Sequence, residues 1–434
     1  MSTSPATASP ITHITLDCGL PLIVEHIPGV ASASLSWLTP AGVAYDPPGK
    51  EGLGAMLAEL ALRGTHDRTS RQLADELDRL GILRGTDCGR QFMGLAATFV
   101  GARFAEVLPL ITEMVLRPRL DADAIEPTRQ LALQSLAGLA DSPQDRAAEI
   151  LTARHASPPL DRSTLGTQAG LESITQADCL RAWNDRIKPA SCILAIAGDV
   201  DPAATADVLN RAIARLTAAR GQPWAGQAPV LGAGIALADQ LGRGSFHHEP
   251  DPANQVQIYL AHEAPPERSD DARLERIVSS VLSGGSAARL FSEVREKRGL
   301  CYAVASSYAA DKLFGRVVAY VGTTPDKAQQ SLDVLTSELA RVAGSNARVE
   351  QDEFDRARVG FKARLVASGE SSAARAAALA SDHHKLGRAR SLDQLAADVD
   401  RTTLSEVNAY VQRRSMGPTT IVTLGPTPLT APAR

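Results

Sequence analysis

The chain has 434 residues, of which 44% are hydrophobic and 22% charged, an ordinary globular composition. Its length predicts more than one domain, each large enough for its own hydrophobic core. The formal net charge is −4 and no basic stripe is visible, which argues against nucleic acid as a partner. No apolar run reaches the length of a transmembrane helix, so we expect no membrane partner.

The cysteines and the first residues bear on the compartment. The five cysteines are scattered and odd in number, with no CxxC pair, which favours reduced thiols in a reducing compartment. Residues 1–10 predict a flexible tail, and they lack the basic and apolar regions of a secretory signal. We therefore expect a cytoplasmic protein, with the periplasm as the alternative if an export signal has been removed.

The pattern over residues 11–217 predicts a first domain built from strands and helices. Alternating apolar and polar residues, or short apolar runs, predict strands over 11–16, 21–26, 31–38, 94–100 and 192–197. Apolar residues at helical spacing predict helices over 52–63, 70–80, 104–116, 121–139, 174–187 and 202–216.

A change of composition separates this half from the next. Residues 218–240 are rich in Gly, Pro and Ala and predict a linker. The second domain, 241–434, follows a similar order, with strands predicted over 256–261, 304–308, 317–321 and 419–424. Its predicted helices are 270–282, 324–342, 350–366 and 404–411. Each half ends in an apolar strand that stops at glycine, which suggests two copies of one α/β unit of roughly 200 residues.

The stretch 283–304 reads as a glycine turn, a helix, a glycine stop and the start of a strand. Gly284 and Gly285 free the backbone, and Ser286 is a candidate N-cap. Gly299 suits the position just after a helix. Because this glycine bends the chain, Arg295 and Tyr302 can converge, and both can donate a hydrogen bond to a polarised carbonyl oxygen. The alternative is a basic helix end on the surface and a tyrosine in the core.

Residues 40–65 resemble the zinc-site segment of the inverzincin peptidases, the family of pitrilysin, insulin-degrading enzyme and mitochondrial processing peptidase. The frame Gly-Leu before the motif and Arg-Gly-Thr after it matches at 52–53 and 63–65. The chemical positions do not match: the two family histidines fall on Ala55 and Glu59, and the catalytic glutamate falls on Ala58.

The third ligand that the resemblance implies is also missing. It falls near Gln134 and Ser135, and no carboxylate lies between Glu126 and Asp141. A catalytic zinc needs three protein ligands, and only Glu59 remains. We therefore expect no metal or other cofactor in this chain and predict an i,i+4 ion pair between Glu59 and Arg63.

The stretch 283–304 is similar to the second domain of the same family, where a glycine-rich loop precedes Arg-Leu-Phe and a helix ending in Arg-Glu-Lys-Arg-Gly. In catalytic members an arginine and a tyrosine there bind the substrate carbonyl opposite the zinc. By resemblance these are Arg295 and Tyr302, with Arg298 as a less favoured arginine. The loop residues Gly284, Gly285 and Ser286 are the implied contacts to the peptide backbone.

The resemblance extends over nearly the whole chain through short words in the same order, at 117–119, 165–167, 198–199 and 254–255. It implies two similar peptidase-like domains of α/β (α+β) class, each a mainly antiparallel sheet layered with helices, joined by the linker. The first domain carries the degenerate zinc motif, and the second carries the glycine-rich loop and the Arg295–Tyr302 pair.

The resemblance leaves three hypotheses for function. The first is a non-catalytic subunit, inactive alone, that completes a zinc site on a homologous partner chain and acts on unfolded peptides. The second is a structural subunit, like related chains in the core of a respiratory complex. The third is a stand-alone metallopeptidase using the histidine pairs at 247–248 or 383–384, which adjacency disfavours because neighbouring side chains point apart.

Overall fold

The computed structural model describes residues 10–229, 231 and 244–432. Nearly all of the predicted tail over 1–10 and about half of the predicted linker therefore lie outside the described residues. The described residues divide into two compact units. The first unit takes those through Ala137, those of 162–233 and Ser368–Asp393; the second takes Gly138–Asp161, those of 234–367 and those from Gln394 onward.

The first unit is built on a six-stranded sheet in the order β1-β2-β6-β3-β5-β4. Its strands are β1 (Ile11–Thr15), β2 (Pro21–His26), β3 (Ser32–Thr39), β4 (Leu83–Cys88), β5 (Met93–Val100) and β6 (Ile193–Gly198). Every neighbouring pair is antiparallel except β2 and β6, which run parallel. The sheet is therefore mixed but mainly antiparallel, as predicted.

Helices cover one face of this sheet and bury a large apolar core against it. The helices of the first half of the chain are α1 (Leu53–Leu60), α2 (Ser70–Arg79), α3 (Phe104–Leu116), α4 (Ala122–Gly138), α5 (Pro143–His155), α6 (Gln168–Ser173), α7 (Gln176–Arg186) and α8 (Pro202–Arg220). Trp224, in the predicted linker, is only 5% exposed and donates to the carbonyl of Ile187 at 2.8 Å. The start of that segment is thus packed into the first unit.

The second unit is built on a five-stranded sheet in the order β7-β11-β8-β10-β9. Its strands are β7 (Phe246–Pro250), β8 (Val256–Ala264), β9 (Cys301–Ala310), β10 (Gly315–Thr323) and β11 (Thr420–Gly425). The helices of this half of the chain are α9 (Asp271–Ser283), a π-helix (Phe291–Glu296), α10 (Ala328–Ala340), α11 (Gln351–Gly369), α12 (Ser372–Leu386), α13 (Leu392–Asp400) and α14 (Leu404–Arg413). Only β7 and β11 pair in parallel, so the predicted fold class is confirmed.

The two units exchange one helical segment each, so they differ from the contiguous domains predicted over 11–217 and 241–434. Helix α12 belongs to the first unit, where Leu379 and Ala380 bury against Ile23 and Ala195 of its sheet. Helix α5 belongs to the second unit, where Leu151 packs with residues of β8 and β11. Each sheet therefore gains its second covering layer from the other half of the sequence.

No described helix is long and apolar enough to cross a membrane.

Candidate functional site

The glycine-rich loop follows the end of α9 and is tied to α11. Gly284 donates its backbone N–H to the carbonyl of Ser280 at 2.7 Å and accepts from Arg364 Nη1 at 3.1 Å. A Cβ at position 284 would lie 2.3 Å from the Ser280 carbonyl oxygen, so only glycine fits there. Gly285 and Ser286 are exposed, and a Cβ on Gly285 would meet no atom within 4 Å. The loop thus offers bare backbone at the surface.

The helix after this loop begins later than predicted. Ser286 lies in a turn, and helical residues begin at 289, so the prediction of Ser286 as N-cap is wrong. The helix continues as a π-helix, in which the Lys297 N–H donates to the Ser292 carbonyl at 2.9 Å. It stops at Gly299, which has φ +58°. Leu300 donates back to Val294 at 3.0 Å, which completes a glycine-terminated helix end of the predicted kind.

Tyr302 stands at a bulge in the edge strand β9. Along β9 and β10, Ala303 pairs with Gly322 and Cys301 pairs with Thr323, so Tyr302 has no partner in the ladder. A bulge of this kind turns the side chain of the extra residue away from its regular direction. The Tyr302 side chain is 83% exposed, which rules out the alternative of a core tyrosine.

Arg295 lies close to two aromatic rings. Its guanidinium carbon is 5.4 Å from the centre of the Tyr302 ring and 4.8 Å from the centre of the Phe291 ring. No carboxylate within salt-bridge distance of Arg295 is found in the part of the chain that the structure describes. The predicted approach of Arg295 and Tyr302 is confirmed, and their role at a substrate stays a prediction.

The neighbouring cations differ from Arg295 because both are paired with one carboxylate. Arg298 Nη1 and Lys297 Nζ each donate to Glu293, at 2.6 Å. The hydrogen bond from Arg298, with that from Lys297, lowers the pKa of the Glu293 carboxyl. Arg298 is therefore engaged at the helix end, and Arg295 is the arginine left with its charge uncompensated by this carboxylate.

Phe291 is the member of this group that the sequence analysis missed. Its apolar character and its helical spacing from Val294 are typical of the buried face of a helix, together with Leu290. Those two are fully buried, but Phe291 is half-buried under the Arg295 guanidinium. An aromatic residue four positions before an arginine on a helix was the available signal.

Helix α1, which carries the degenerate zinc motif, is held by a buried carboxylate. Asp46 accepts from the backbone N–H groups of Gly52 and Gly54, each at 3.0 Å, and from Arg186 Nη1 at 3.2 Å. Burial raises the pKa of Asp46, and the charge of Arg186 opposes that rise. The start of α1 is thus fixed although its zinc ligands are absent.

The residues at the former ligand positions do not fit a zinc ion. Ala55 and Ala58 offer no donor atom, and Glu59 accepts from Arg63 Nη2 at 2.9 Å, which confirms the predicted ion pair. Gln134, which lies near the expected position of the third ligand, lines an open groove of about 670 Å³ together with Arg63. Among the described residues, no three His, Cys, Asp or Glu side chains are grouped as metal ligands would be.

The two histidine pairs do not converge on one point either. His247 lies 3.5 Å from Glu249, whereas His248 approaches the Thr423 hydroxyl at 3.0 Å. On α12 the ring of His383 contacts the His13 ring, and that of His384 contacts the Phe92 ring. Adjacent histidines therefore face different neighbours.

Two family models match the chain. Residues 22–168 match the model described as insulinase, peptidase family M16, and residues 173–360 match the M16 inactive domain. Together the matches cover well over half of the sequence, one after the other along the chain. The chain belongs to peptidase family M16. The second match, to the inactive domain, contains the glycine-rich loop, Arg295 and Tyr302.

Curated relatives of this M16 chain share about a quarter of its residues along most of its length. An uncharacterized zinc protease of Rickettsia bellii is 24% identical over 414 residues, which is 94% of this chain and 96% of that protein. An uncharacterized zinc protease of Mycobacterium tuberculosis is 26% identical over 419 residues, covering 94% and 91%.

Solved structures share the fold of this M16 chain. The M16 inactive-domain structure from Pseudomonas fluorescens superposes with a TM-score of 0.82 at 18% identity, covering 98% of this chain and all of that one. A Helicobacter pylori protease gives 0.80 at 17%, covering 96% and 99%. A chain of complex III2 from Candida albicans gives 0.78 at 16%, covering 96% of each chain. At these identities the likeness concerns the fold alone.

Proposed function

We propose that this M16 chain is the non-catalytic subunit of a heteromeric zinc peptidase. Its partner is a homologous chain that carries an intact zinc motif, and its substrates are unfolded peptides. The observation that carries the proposal is an asymmetry within one chain: Arg295 and Tyr302 come together at an exposed position, while Ala55, Ala58 and Glu59 replace the zinc ligands and the base.

The chemical role of this chain follows from the two donors. The partner's zinc supplies an activated water at neutral pH. The guanidinium of Arg295 and the hydroxyl of Tyr302 donate to the oxygen of the scissile carbonyl, where negative charge develops during attack. Donors that are already in place stabilise this charge without reorganisation, which is why they accelerate the reaction.

The glycine-rich loop binds the peptide in this proposal. Gly285 and Ser286 are exposed, and the absence of a side chain at Gly285 lets another backbone approach. The loop is anchored from below because Arg364 donates to the Gly284 carbonyl. A firmly held loop loses little entropy when an extended peptide binds.

We also propose that the assembly works in the cytoplasm. None of the five cysteines is paired in a disulfide, which is typical of a reducing compartment. Cys179 and Cys192 are fully buried. Burial raises the pKa of both thiols to about 12, which keeps them protonated and unreactive.

A structural subunit is the second candidate, because a chain of complex III2 shares the fold over 96% of its length. A purely structural chain has no need for a free guanidinium beside an exposed tyrosine. The two functions are separated by whether substitution of Arg295 changes a rate or leaves it unaltered.

The test is reconstitution with the zinc-bearing M16 chain from the same organism. The mixture is expected to cleave an unfolded fluorogenic peptide that neither chain cleaves alone. Arg295→Ala should lower kcat/KM about 100-fold, the usual loss for one oxyanion donor, and Tyr302→Phe should lower it about tenfold. Arg298→Ala is the matched control, since that arginine is engaged by Glu293. Lys297 still binds Glu293 in this variant, so activity should be retained.

Three results would overturn the proposal. One is a mixture that cleaves equally well with Arg295 and Tyr302 both substituted. Another is a purified chain that cleaves peptides unaided. The third is co-purification of this chain with a complex from which every zinc-bearing M16 chain is missing.

A further inference from the structure

The Arg295 guanidinium lies within cation–π distance of two rings, those of Phe291 and Tyr302. Phe291 is the first residue of the π-helix, one turn before Arg295, and it is half-buried. The Arg295 guanidinium carbon lies closer to the Phe291 ring, at 4.8 Å, than to the exposed Tyr302 ring, at 5.4 Å. The ring that holds the guanidinium most closely therefore comes from its own helix.

We infer that Phe291 is a positioning residue that orients the Arg295 guanidinium toward the peptide carbonyl. This inference rests on the proposed function of the Arg295–Tyr302 pair. A long arginine side chain on a surface samples many rotamers, and holding it in one of them costs free energy. A cation over an aromatic face is attracted by the ring quadrupole, so Phe291 supplies that constraint through the ring face and leaves the N–H groups available.

Neighbouring charges on the same helix favour the contact between Arg295 and Phe291. Glu293, which lies on the same helix two positions before Arg295, is occupied by Lys297 and Arg298. It cannot draw Arg295 into a competing ion pair while those two contacts hold. The wide turn of the π-helix brings positions 291 and 295 to one face. Phe291 attracts the guanidinium through its ring face, and Lys297 and Arg298 keep the Glu293 carboxylate from pairing with Arg295.

Three substitutions separate positioning from simple packing. Phe291→Leu keeps an apolar side chain but removes the ring, whereas Phe291→Tyr and Phe291→Trp keep an aromatic face. In the reconstituted mixture, Phe291→Leu should lower kcat about fivefold with KM changed less than twofold, in line with the strength of an exposed cation–π contact. The Tyr and Trp variants should restore kcat to within twofold of the original chain.

A measurement on the isolated full chain tests the contact between Phe291 and Arg295 without the partner. In an arginine-labelled sample, the Arg295 side-chain resonance, assigned by its loss in Arg295→Lys, should be shifted upfield by the two rings. Phe291→Leu should remove much of that shift, and Phe291→Tyr should retain it. Thermal melting of each variant shows whether the fold is intact.

The outcomes distinguish the inference from the proposed function. An inactive mixture of the unsubstituted chains contradicts the proposed function itself. An active mixture whose kcat is unaffected by Phe291→Leu contradicts only the positioning role, and so does an Arg295 resonance that this substitution leaves unchanged.

Discussion

Arg375 and Glu25 are 350 positions apart in the sequence and form a buried ion pair, with Nε 2.7 Å from the carboxylate and each side chain only 2% exposed. Arg375 lies on α12 and Glu25 on β2, so the pair links the exchanged helix to the sheet of the first unit. Ser372 adds a second contact at the same helix, 2.8 Å from the Ser34 hydroxyl. A charge this deep is stable only while its partner is present.

Arg375→Met should therefore destabilise the chain by about 3–5 kcal/mol, because it leaves the Glu25 carboxylate buried without a counter-charge. Urea unfolding followed by circular dichroism measures the loss. The double variant Arg375→Met with Glu25→Gln should recover part of it. Arg71→Ala removes an exposed ion pair, in which Nε lies 3.5 Å from the Asp75 carboxylate, and it should lower the free energy of unfolding by less than about 0.5 kcal/mol. Equal losses for the buried and exposed variants would contradict the prediction.

Two buried histidines of the second unit should make its stability depend on pH below neutrality. The His262 Nδ1–H donates to the Glu263 carbonyl at 2.7 Å, and Nε2 accepts from Arg414 Nη2 at 3.3 Å, so the neutral ring fits its surroundings. Burial, assisted by the Arg414 charge, lowers the pKa of His262 to about 3. Burial also lowers the pKa of His155, whose Nδ1 lies 3.1 Å from the Thr420 hydroxyl, to about 4.

Both histidines are neutral in the folded chain at pH 5 but protonated in the unfolded chain, whose histidine pKa is about 6.5. The unfolded state thus binds more protons, and stability falls as the pH drops from 6.5 toward 4, by up to about 1.4 kcal/mol per pH unit for each ring. Urea midpoints at pH 7.5, 6.0 and 5.0 measure this slope. His155→Asn should flatten it, and His66→Asn, which alters an exposed ring, should leave it unchanged.

Two glycines with left-handed backbone allow the cost of backbone strain to be measured separately from the cost of a steric collision. Gly166 has φ +78°, and a Cβ there would lie 2.5 Å from the Cα of Gly52, at the start of α1. Gly19 has φ +87° and open space around the same position. Gly19→Ala should cost about 1 kcal/mol from strain alone. Gly166→Ala should cost about 3 kcal/mol because the new Cβ also collides with Gly52. Similar melting temperatures for the two variants would contradict this collision.

The metal content of the pure chain tests the ligand count at α1. After dialysis against zinc and then against buffer, elemental analysis should find far less than one zinc per chain, because Glu59 is the single carboxylate left and Arg63 already binds it. Near-stoichiometric zinc would show that other side chains form a site. The zinc-bearing partner, treated in the same way, provides the positive control.

Strong local patterns were enough to predict much of the fold. The helix predicted over 104–116 is found as Phe104–Leu116, since its apolar residues recur at helical spacing over its whole length. The helix predicted over 70–80 is found as Ser70–Arg79, and its N-cap is Thr69, which forms a capping box with Gln72.

Elements that depend on distant partners were not predicted. Strand β4 is polar and largely exposed, and it exists because it pairs with β5 at the edge of the sheet. Helices α5 and α12 bury their apolar residues against sheets that lie mostly in the other half of the sequence. Local periodicity carries no information about such a partner.

The candidate site divides in the same way. A glycine stop between Arg295 and Tyr302 was enough to predict that the two side chains approach. The exposure of Tyr302 depends on a bulge, and the bulge is defined by the pairing of β9 with β10. The approach of Phe291 to the guanidinium follows from their i,i+4 spacing on a helix, whereas no residue pattern predicted that this helix is a π-helix.

The exchanged segments determine how this polypeptide could be divided. A fragment that stops before residue 244 keeps α5 but lacks α12, so it leaves one face of the six-stranded sheet, including Ile23 and Ala195, uncovered and its buried Glu25 without a counter-charge. The complementary fragment lacks α5 and leaves the matching face of its own sheet bare. Each fragment lacks the helix that covers its own sheet and carries the helix that covers the sheet of the other. Co-expressed halves should therefore associate without a covalent connection.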